Sequence, residues 1–169
     1  MNRNRRIAYF GLLIALAFIF SYVESLIPIN FGVPGIKLGL ANLVVMVALY
    51  VFGVKEAAVI SLIRILLAGI TFGNMAAMVY SLAGGILSLA VMIIARKTDK
   101  LSPTGVSILG GVFHNVGQII VAIIVLETAR LVYYLPVLIV SGLVAGVIIG
   151  LLTAEIVKRL PKERIDNEE

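Results

Sequence analysis

The sequence predicts an all-α integral membrane protein, a bundle of six transmembrane helices with both termini in the cytoplasm. The composition is 61% hydrophobic and 14% charged, with a mean hydropathy of +1.11, whereas soluble domains are about half apolar and a quarter charged. Eleven of the 14 Lys and Arg residues fall in gaps that this topology places inside the cell. The outer gaps hold only Lys37 and Arg130, a bias that the positive-inside rule predicts for a correct topology.

The predicted spans are 7–24, 38–53, 55–71, 74–95, 104–127 and 135–158 of a single membrane domain, 1–169, which ends in a cytoplasmic tail at 159–169. A crossing needs about 20 residues, so the second and third spans are short. A single re-entrant hairpin over 38–71 therefore remains an alternative. The first span follows basic residues, as in a signal peptide. No small-residue cleavage site follows it, and we interpret it as a retained span.

Charge and cysteine content exclude several classes of function. The net charge of +5 is explained by the cytoplasmic flanks, so nucleic acid is not a predicted partner. The chain has no cysteine, which removes disulfide, thiolate and iron–sulfur chemistry. Neither a metal nor another cofactor is expected, since the spans hold no acid close to the single histidine, His114.

Small residues form faces along several predicted helices. The sixth span has Gly142, Gly146, Gly150 and Ala154 at steps of four, which places them on one face. In lipid, close backbone approach at small residues supplies much of the helix packing. We therefore expect the fourth, fifth and sixth spans to pack tightly, although the stripe on the sixth could also join two copies of the chain.

Arg64 is the one Lys or Arg residue that falls deep inside a predicted span and not near its ends. It lies ten residues past Val54, at the inner end of the third span, so its depth is about 15 Å, near the middle of the membrane. A charge there is expensive and indicates a functional site by default. Glu24 and Glu127 lie at outer ends, so no acid is expected at its depth. Arg64 is therefore expected either to bond Asn115 and helix ends or to contact a ligand anion.

The fifth span carries the densest polar cluster, His114, Asn115 and Gln118. Residues three and four apart share a helix face, so these side chains are expected to line a polar cavity together with Arg64. An unpaired amide in lipid is costly enough to favour such a cavity. The cavity mouth is expected to include Lys37, Asn42, Asn74 and Tyr80. Helix capping is the alternative role for the two asparagines.

Four segments carry a family resemblance: PGIKLGLAN at 34–42, SLIRILLAG at 61–69, YSLAGG at 80–85 and FHNVGQ at 113–118. Together they resemble the Gx transporter family, often labelled heptaprenyl diphosphate synthase component I. That family is in turn similar to the S components of energy-coupling factor (ECF) transporters, which are six-helix substrate-binding membrane proteins.

The resemblance implies an S-component-like bundle that works with a T-type scaffold subunit and paired cytoplasmic ATPases. It implies a small-residue docking face on the first helix, which here corresponds to Ala8, Gly11 and Ala15. It also implies a ligand site near the outer side, under the loop Ser25–Lys37. The expected location is the plasma membrane of a prokaryote.

The chain lacks the residues that a prenyl diphosphate synthase needs, so the sequence does not support the synthase label. Prenyl diphosphate synthases hold Mg²⁺ through aspartate-rich motifs, because hard cations require oxygen ligands. This chain has only Asp99 and Asp166, in a cytoplasmic loop and in the tail. We therefore expect a protein that is not an enzyme.

The favoured hypothesis is a substrate-binding subunit that captures a small amphipathic molecule, with an anion as one candidate, from the outer side. Prenyl phosphates, quinone precursors and vitamins all remain open as the substrate. The alternative is a non-catalytic membrane accessory subunit. It would serve prenyl diphosphate or quinone metabolism, or flavin- or quinone-linked extracellular electron transfer.

Overall fold

The computed structural model describes residues 3–26 and 39–160. Over these ranges the chain forms six α-helices and one short 3-10 helix, and no strand. The helices are α1 Arg3–Leu26, α2 Leu40–Val51, α3 Val54–Thr71, α4 Met75–Lys97, α5 Pro103–Leu126 and α6 Leu135–Arg159, with the 3-10 helix at Ala129–Tyr134 before α6. The prediction of an all-α protein with six helices is confirmed. The predicted loop Ser25–Lys37 begins too early, because Ser25 is still in α1, and its residues 27–37 lie outside the described residues. Of the predicted tail at 159–169, Arg159 ends α6 and the residues from 161 lie outside the described ranges.

Four helical segments are long and apolar enough to cross a membrane. They are Ile7–Leu26, Met75–Lys97, Pro103–Leu126 and Ala129–Arg159. The chain is therefore built as a multi-pass membrane protein. With 12 residues, α2 extends over only about 18 Å, less than the hydrocarbon thickness of a bilayer. Six crossings and cytoplasmic termini therefore stay predictions.

The helices alternate in direction, which gives the bundle two distinct ends. At one end α1, α3 and α5 finish and α2, α4 and α6 begin, and we call it the Glu24 end. The opposite end, the Arg96 end, holds the turn between α2 and α3. There Arg96 donates a hydrogen bond to the carbonyl oxygen of Leu49 and lies 5.0 Å from the ring centre of Tyr50.

Glycines bring α5 and α6 into backbone contact. A Cβ atom added to Gly142 would lie 2.6 Å from the carbonyl oxygen of Gly111, and one added to Gly146 would lie 2.6 Å from the Cα of Ile108. Gly150 approaches Thr104 in the same way. The predicted tight packing is confirmed for α5 against α6 and for α4 against α5, whereas α4 and α6 form no comparable interface. These glycines of α6 face inward. Close approach of this kind is the main packing device available in lipid.

Helix α2 forms the centre of the bundle although it is the shortest. Eight of its residues are buried, among them Met46 and Leu49, which are almost inaccessible. Helix α1 packs against it through Ala17. A helix so enclosed by protein has its apolar surface covered by neighbouring helices, so it need not match the thickness of the lipid.

Large aliphatic side chains cover the outside of the bundle. Ile70 is 77% exposed, and Ile86 and Ile124 are both 68% exposed. A soluble domain rarely shows so many large apolar residues, since contiguous exposed patches mark contact with another apolar phase. The arrangement of small residues inside and large aliphatics outside fits a lipid environment.

Candidate functional site

Arg64 lies in the middle of α3 and is buried, with 9% of its surface exposed. One of its terminal nitrogens donates a hydrogen bond to Oδ1 of Asn42 in α2, at 2.6 Å. Its Nε has no hydrogen-bond partner among the described residues. The sequence predicts Asn115 and helix ends as the structural partners of this guanidinium. In the structure it donates its hydrogen bond to Asn42 instead.

Glu24, in the last turn of α1, is the acidic neighbour of Arg64. One carboxylate oxygen, Oε1, accepts a hydrogen bond from the backbone N–H of Leu40 at 2.8 Å. That bond caps α2, whose own N-cap residue is Gly39 and has no side chain to offer. A negative charge is also favourable at the positive end of a helix dipole. The opposite charges of Glu24 and Arg64 attract each other at this end of the bundle.

Glu24 and Arg64 line the same two cavities, which corrects the expectation that no acid lies at the depth of Arg64. The Cα atom of Arg64 lies about 10 Å from the end of α3 at Thr71, whereas the Cα atom of Glu24 lies about 3 Å from the end of α1. A long arginine side chain carries its charge well away from its own backbone. Counting residues locates the Cα of Arg64, but the guanidinium lies closer to the Glu24 end.

Two cavities meet at Glu24, Arg64 and Ser81. The first, which we call the wide cavity, has a volume of about 290 Å³ and lies between α1, α3 and α4. The second, the narrow cavity, has a volume of about 40 Å³ and runs between α2, α4, α5 and α6. Glu24, Arg64 and Ser81 line both of them. Ligand sites commonly have volumes of about 300–1,000 Å³, so the wide cavity is at the lower end of that range.

The wide cavity combines apolar walls with polar groups. Ile65 of α3, Phe72 directly after α3 and Met78 of α4 supply apolar surface. Asn74 lies at the beginning of α4, where its Oδ1 accepts a hydrogen bond from the backbone N–H of Ala77 at 2.7 Å. The side chain of Asn74 therefore caps α4 as well as lining the cavity.

The structure brings five of the eight predicted binding residues to these cavities. Arg64 lines both, Asn74 lines the wide cavity, and Asn42, His114 and Asn115 line the narrow one. Gln118 and Tyr80 line neither cavity. Gln118 is buried against α4, where its Cγ would lie 2.8 Å from a Cβ atom added to Gly84. Lys37 lies outside the described residues.

Asn115 has a structural contact as well as a place beside the narrow cavity. Its Nδ2 donates a hydrogen bond to the carbonyl oxygen of Leu138 in α6, at 2.7 Å. His114, its neighbour, is buried where α5 packs against Gly84 of α4. Both residues therefore help to hold α5 between α4 and α6.

Two residues at the meeting point of the cavities are missing from the predicted site. Glu24 looks like an ordinary helix-end acid in the sequence, and Ser81 looks like one of several small residues on a packing face. Ser81 is buried and lines both cavities. Ser81 and Ser88 are seven residues apart, about two helical turns, and this spacing is the signal that both line the narrow cavity. Within residues 3–26 and 39–160, no group of three His, Cys, Asp or Glu side chains is arranged to hold a metal.

The predicted docking residues Ala8, Gly11 and Ala15 lie on an exposed face of α1, which we call the small face. A Cβ atom added to Gly11 would meet no other atom within 4 Å. The opposite side of α1 packs into the core through Ala17. The small face is therefore uncovered by the described part of the chain.

Comparison with known proteins gives one match. The family model described as heptaprenyl diphosphate synthase component I matches residues 13–156. This range includes Glu24, Arg64 and the two cavities, but it begins after Ala8 and Gly11. No curated protein and no solved structure matches the chain significantly.

Proposed function

Because the chain belongs to the heptaprenyl diphosphate synthase component I family, also called the Gx transporter family, we propose that it is a substrate-binding membrane subunit of a transporter. It acts like the S component of an ECF transporter and is not an enzyme. It captures a small amphipathic molecule from the outer side, and the wide cavity is where that molecule binds.

The observation that carries this proposal is that Arg64 is buried with hydrogen-bond donors that are not all satisfied within the described part of the chain. An arginine is charged at any physiological pH, and a buried charge costs several kcal/mol unless partners compensate for it. Asn42 takes one of its five N–H donors, while Nε is buried without a partner in the described part of the chain. An acceptor group on a ligand in the wide cavity would complete this set of hydrogen bonds.

The shape of the wide cavity supports an amphipathic ligand. Its charged groups, Glu24 and Arg64, lie where it meets the narrow cavity. Phe72 and Met78 form apolar walls. Sites for small molecules typically combine such walls with a few polar groups that fix the orientation of the ligand.

The direction of capture follows from the proposed topology. Six crossings with cytoplasmic termini place the Glu24 end outside and the Arg96 end inside, in the plasma membrane of a prokaryote. Basic residues in the last turns of α4 and α6, among them Arg96 and Arg159, support this orientation. The wide cavity then lies towards the outer surface.

The small face on α1 supplies the surface for a T-type scaffold subunit, through which cytoplasmic ATPases would act. Small residues allow another helix to approach closely in lipid. Ala8, Gly11 and Ala15 are exposed, and Gly11 has open space beside it. In the proposed topology all three lie in the cytoplasmic half of α1.

Native mass spectrometry on protein gently solubilised from its own membranes tests the proposal. We expect a bound small molecule on the wild type and its loss from Arg64→Ala. Leu62→Ala is the matched control, because Leu62 lies on the exposed side of the same helix. Retention of the small molecule by a folded Arg64→Ala variant would contradict the assignment.

A second candidate is an accessory subunit of a prenyl diphosphate synthase, and the family description favours it because "component I" implies another component. This function predicts a stable complex with a soluble synthase and an empty cavity. Co-purification from native membranes separates the two candidates. A scaffold subunit with ATPases supports the transporter, and a prenyl synthase supports the accessory role.

A further inference from the structure

Among the described residues that line the wide cavity, Glu24 and Arg64 are the only acidic and basic side chains, and their formal charges cancel. They lie on different helices, α1 and α3, and both also line the narrow cavity. A ligand at this point therefore meets one positive and one negative group together.

Both groups have hydrogen-bonding capacity beyond their contacts within the bundle. The Leu40 N–H occupies one site on Oε1 of Glu24, and a carboxylate has about four acceptor sites. Asn42 occupies one donor of Arg64, and the Nε donor is without a partner in the described ranges. The cavity thus offers an acceptor from α1 beside a donor from α3.

Resting on the proposed function, we infer that the bound molecule has no net charge and carries two complementary groups. It presents an acceptor or anionic group to Arg64 and a donor or cationic group to Glu24. A zwitterion satisfies this pattern, and so does a neutral molecule with an acceptor beside a donor. The apolar remainder of the molecule lies against Phe72 and Met78.

The same arrangement disfavours a polyanion such as a diphosphate. One arginine compensates one of its negative charges, and Glu24 repels the rest. A negative charge that stays uncompensated at a half-buried site loses hydration without an equal gain. The volume of about 290 Å³ also favours a small molecule over a long prenyl chain.

The variant Glu24→Gln tests the inference, because the inference and its alternative predict changes in ligand affinity of opposite sign. Glutamine keeps a carbonyl oxygen that accepts from the Leu40 N–H, so the cap of α2 is preserved while the charge is removed. If the ligand donates to Glu24, its affinity falls by about tenfold or more, as for loss of a charge-assisted hydrogen bond. If the ligand is an anion, its affinity rises, because a repelling charge has been removed.

The experiment compares the wild type, Glu24→Gln and Arg64→Ala by native mass spectrometry after purification from native membranes. The molecule released from the wild type is identified, and its net charge at pH 7 is assigned. We expect an uncharged or zwitterionic molecule that both variants lose. A net anion, or occupancy that is unchanged or higher in Glu24→Gln, overturns the inference.

A second arm uses defined probes on the wild type and so does not depend on a variant that folds. Thermal unfolding is followed with inorganic diphosphate and with geranyl diphosphate at millimolar concentration. We expect neither to raise the unfolding temperature, and a rise with either probe overturns the inference.

The outcomes separate the inference from the proposed function. A bound anion that needs Arg64 but not Glu24 leaves the substrate-binding function intact and overturns only the inference about charge. A wild-type chain that carries no small molecule and co-purifies with a prenyl synthase overturns both.

Discussion

Arg64 of α3 donates a hydrogen bond to Oδ1 of Asn42 in the first turn of α2, at 2.6 Å. This bond joins the central helix of the bundle to the buried charge of the candidate site. Leu40, two residues earlier, donates its backbone N–H to Glu24 of α1. The beginning of α2 is therefore held between the two charged groups, and its position depends on both.

The first prediction concerns that bond. Asn42→Ala removes the acceptor and leaves a charged donor unsatisfied, so we expect a loss of about 1–3 kcal/mol in the free energy of unfolding. Asn42→Asp keeps an acceptor of the same size and should retain most of the stability. The free energies of unfolding of both variants and the wild type are measured in the same detergent. An Asn42→Ala variant as stable as the wild type would show that the bond contributes nothing.

The second prediction compares two glycines in different surroundings. Gly146→Ala places a Cβ atom 2.6 Å from the Cα of Ile108, which is backbone and can move only if α5 and α6 separate. We expect a loss of about 1–3 kcal/mol, as is usual for overpacking. Gly11→Ala meets open space and should be neutral or stabilising by up to about 1 kcal/mol, since alanine favours helix. Equal effects of the two changes on the unfolding temperature would contradict the packing of α6.

The third prediction separates the structural contact of Asn115 from ligand binding. Asn115→Ala removes its hydrogen bond to Leu138 and should cost about 1 kcal/mol of stability, because such bonds contribute modestly within membranes. Its effect on small-molecule occupancy should be smaller than that of Arg64→Ala. Native mass spectrometry and unfolding on the same preparations test this. A complete loss of the bound molecule at unchanged stability would give Asn115 a direct binding role.

The fourth prediction concerns the small face of α1. Gly11→Leu adds bulk where nothing in the described chain lies within 4 Å, so the isolated protein should fold and keep its bound small molecule. The change should prevent close approach of another helix and abolish co-purification of a scaffold subunit. Val23→Leu, at an exposed position nearer the other end of α1, is the control and should leave the complex intact. A complex that survives Gly11→Leu would remove the small face from the interface.

The helices and their packing were predictable because lipid restricts the possible structures. Backbone groups in lipid must bond within the segment, so long apolar runs become helices. Glycines at steps of four on the sixth span predicted a flat face, and Gly142, Gly146 and Gly150 now lie against α5. What the spacing left open was the identity of the partner. Contact with α5, and not with a second copy, depends on how the loops bring the helices together.

The sequence by itself determined that Arg64 marks a candidate functional site, since a charged side chain in an apolar span carries a high free-energy cost. It did not determine which side chains surround that charge. Glu24 and Asn42 lie 40 and 22 positions away along the chain, on helices whose relative depth depends on the packing of α1 against α2. Residue counting locates backbone atoms, whereas the partners of Arg64 depend on where its flexible side chain places the guanidinium. Only the tertiary structure decided that the charge bonds an amide and shares the lining of two cavities with a carboxylate.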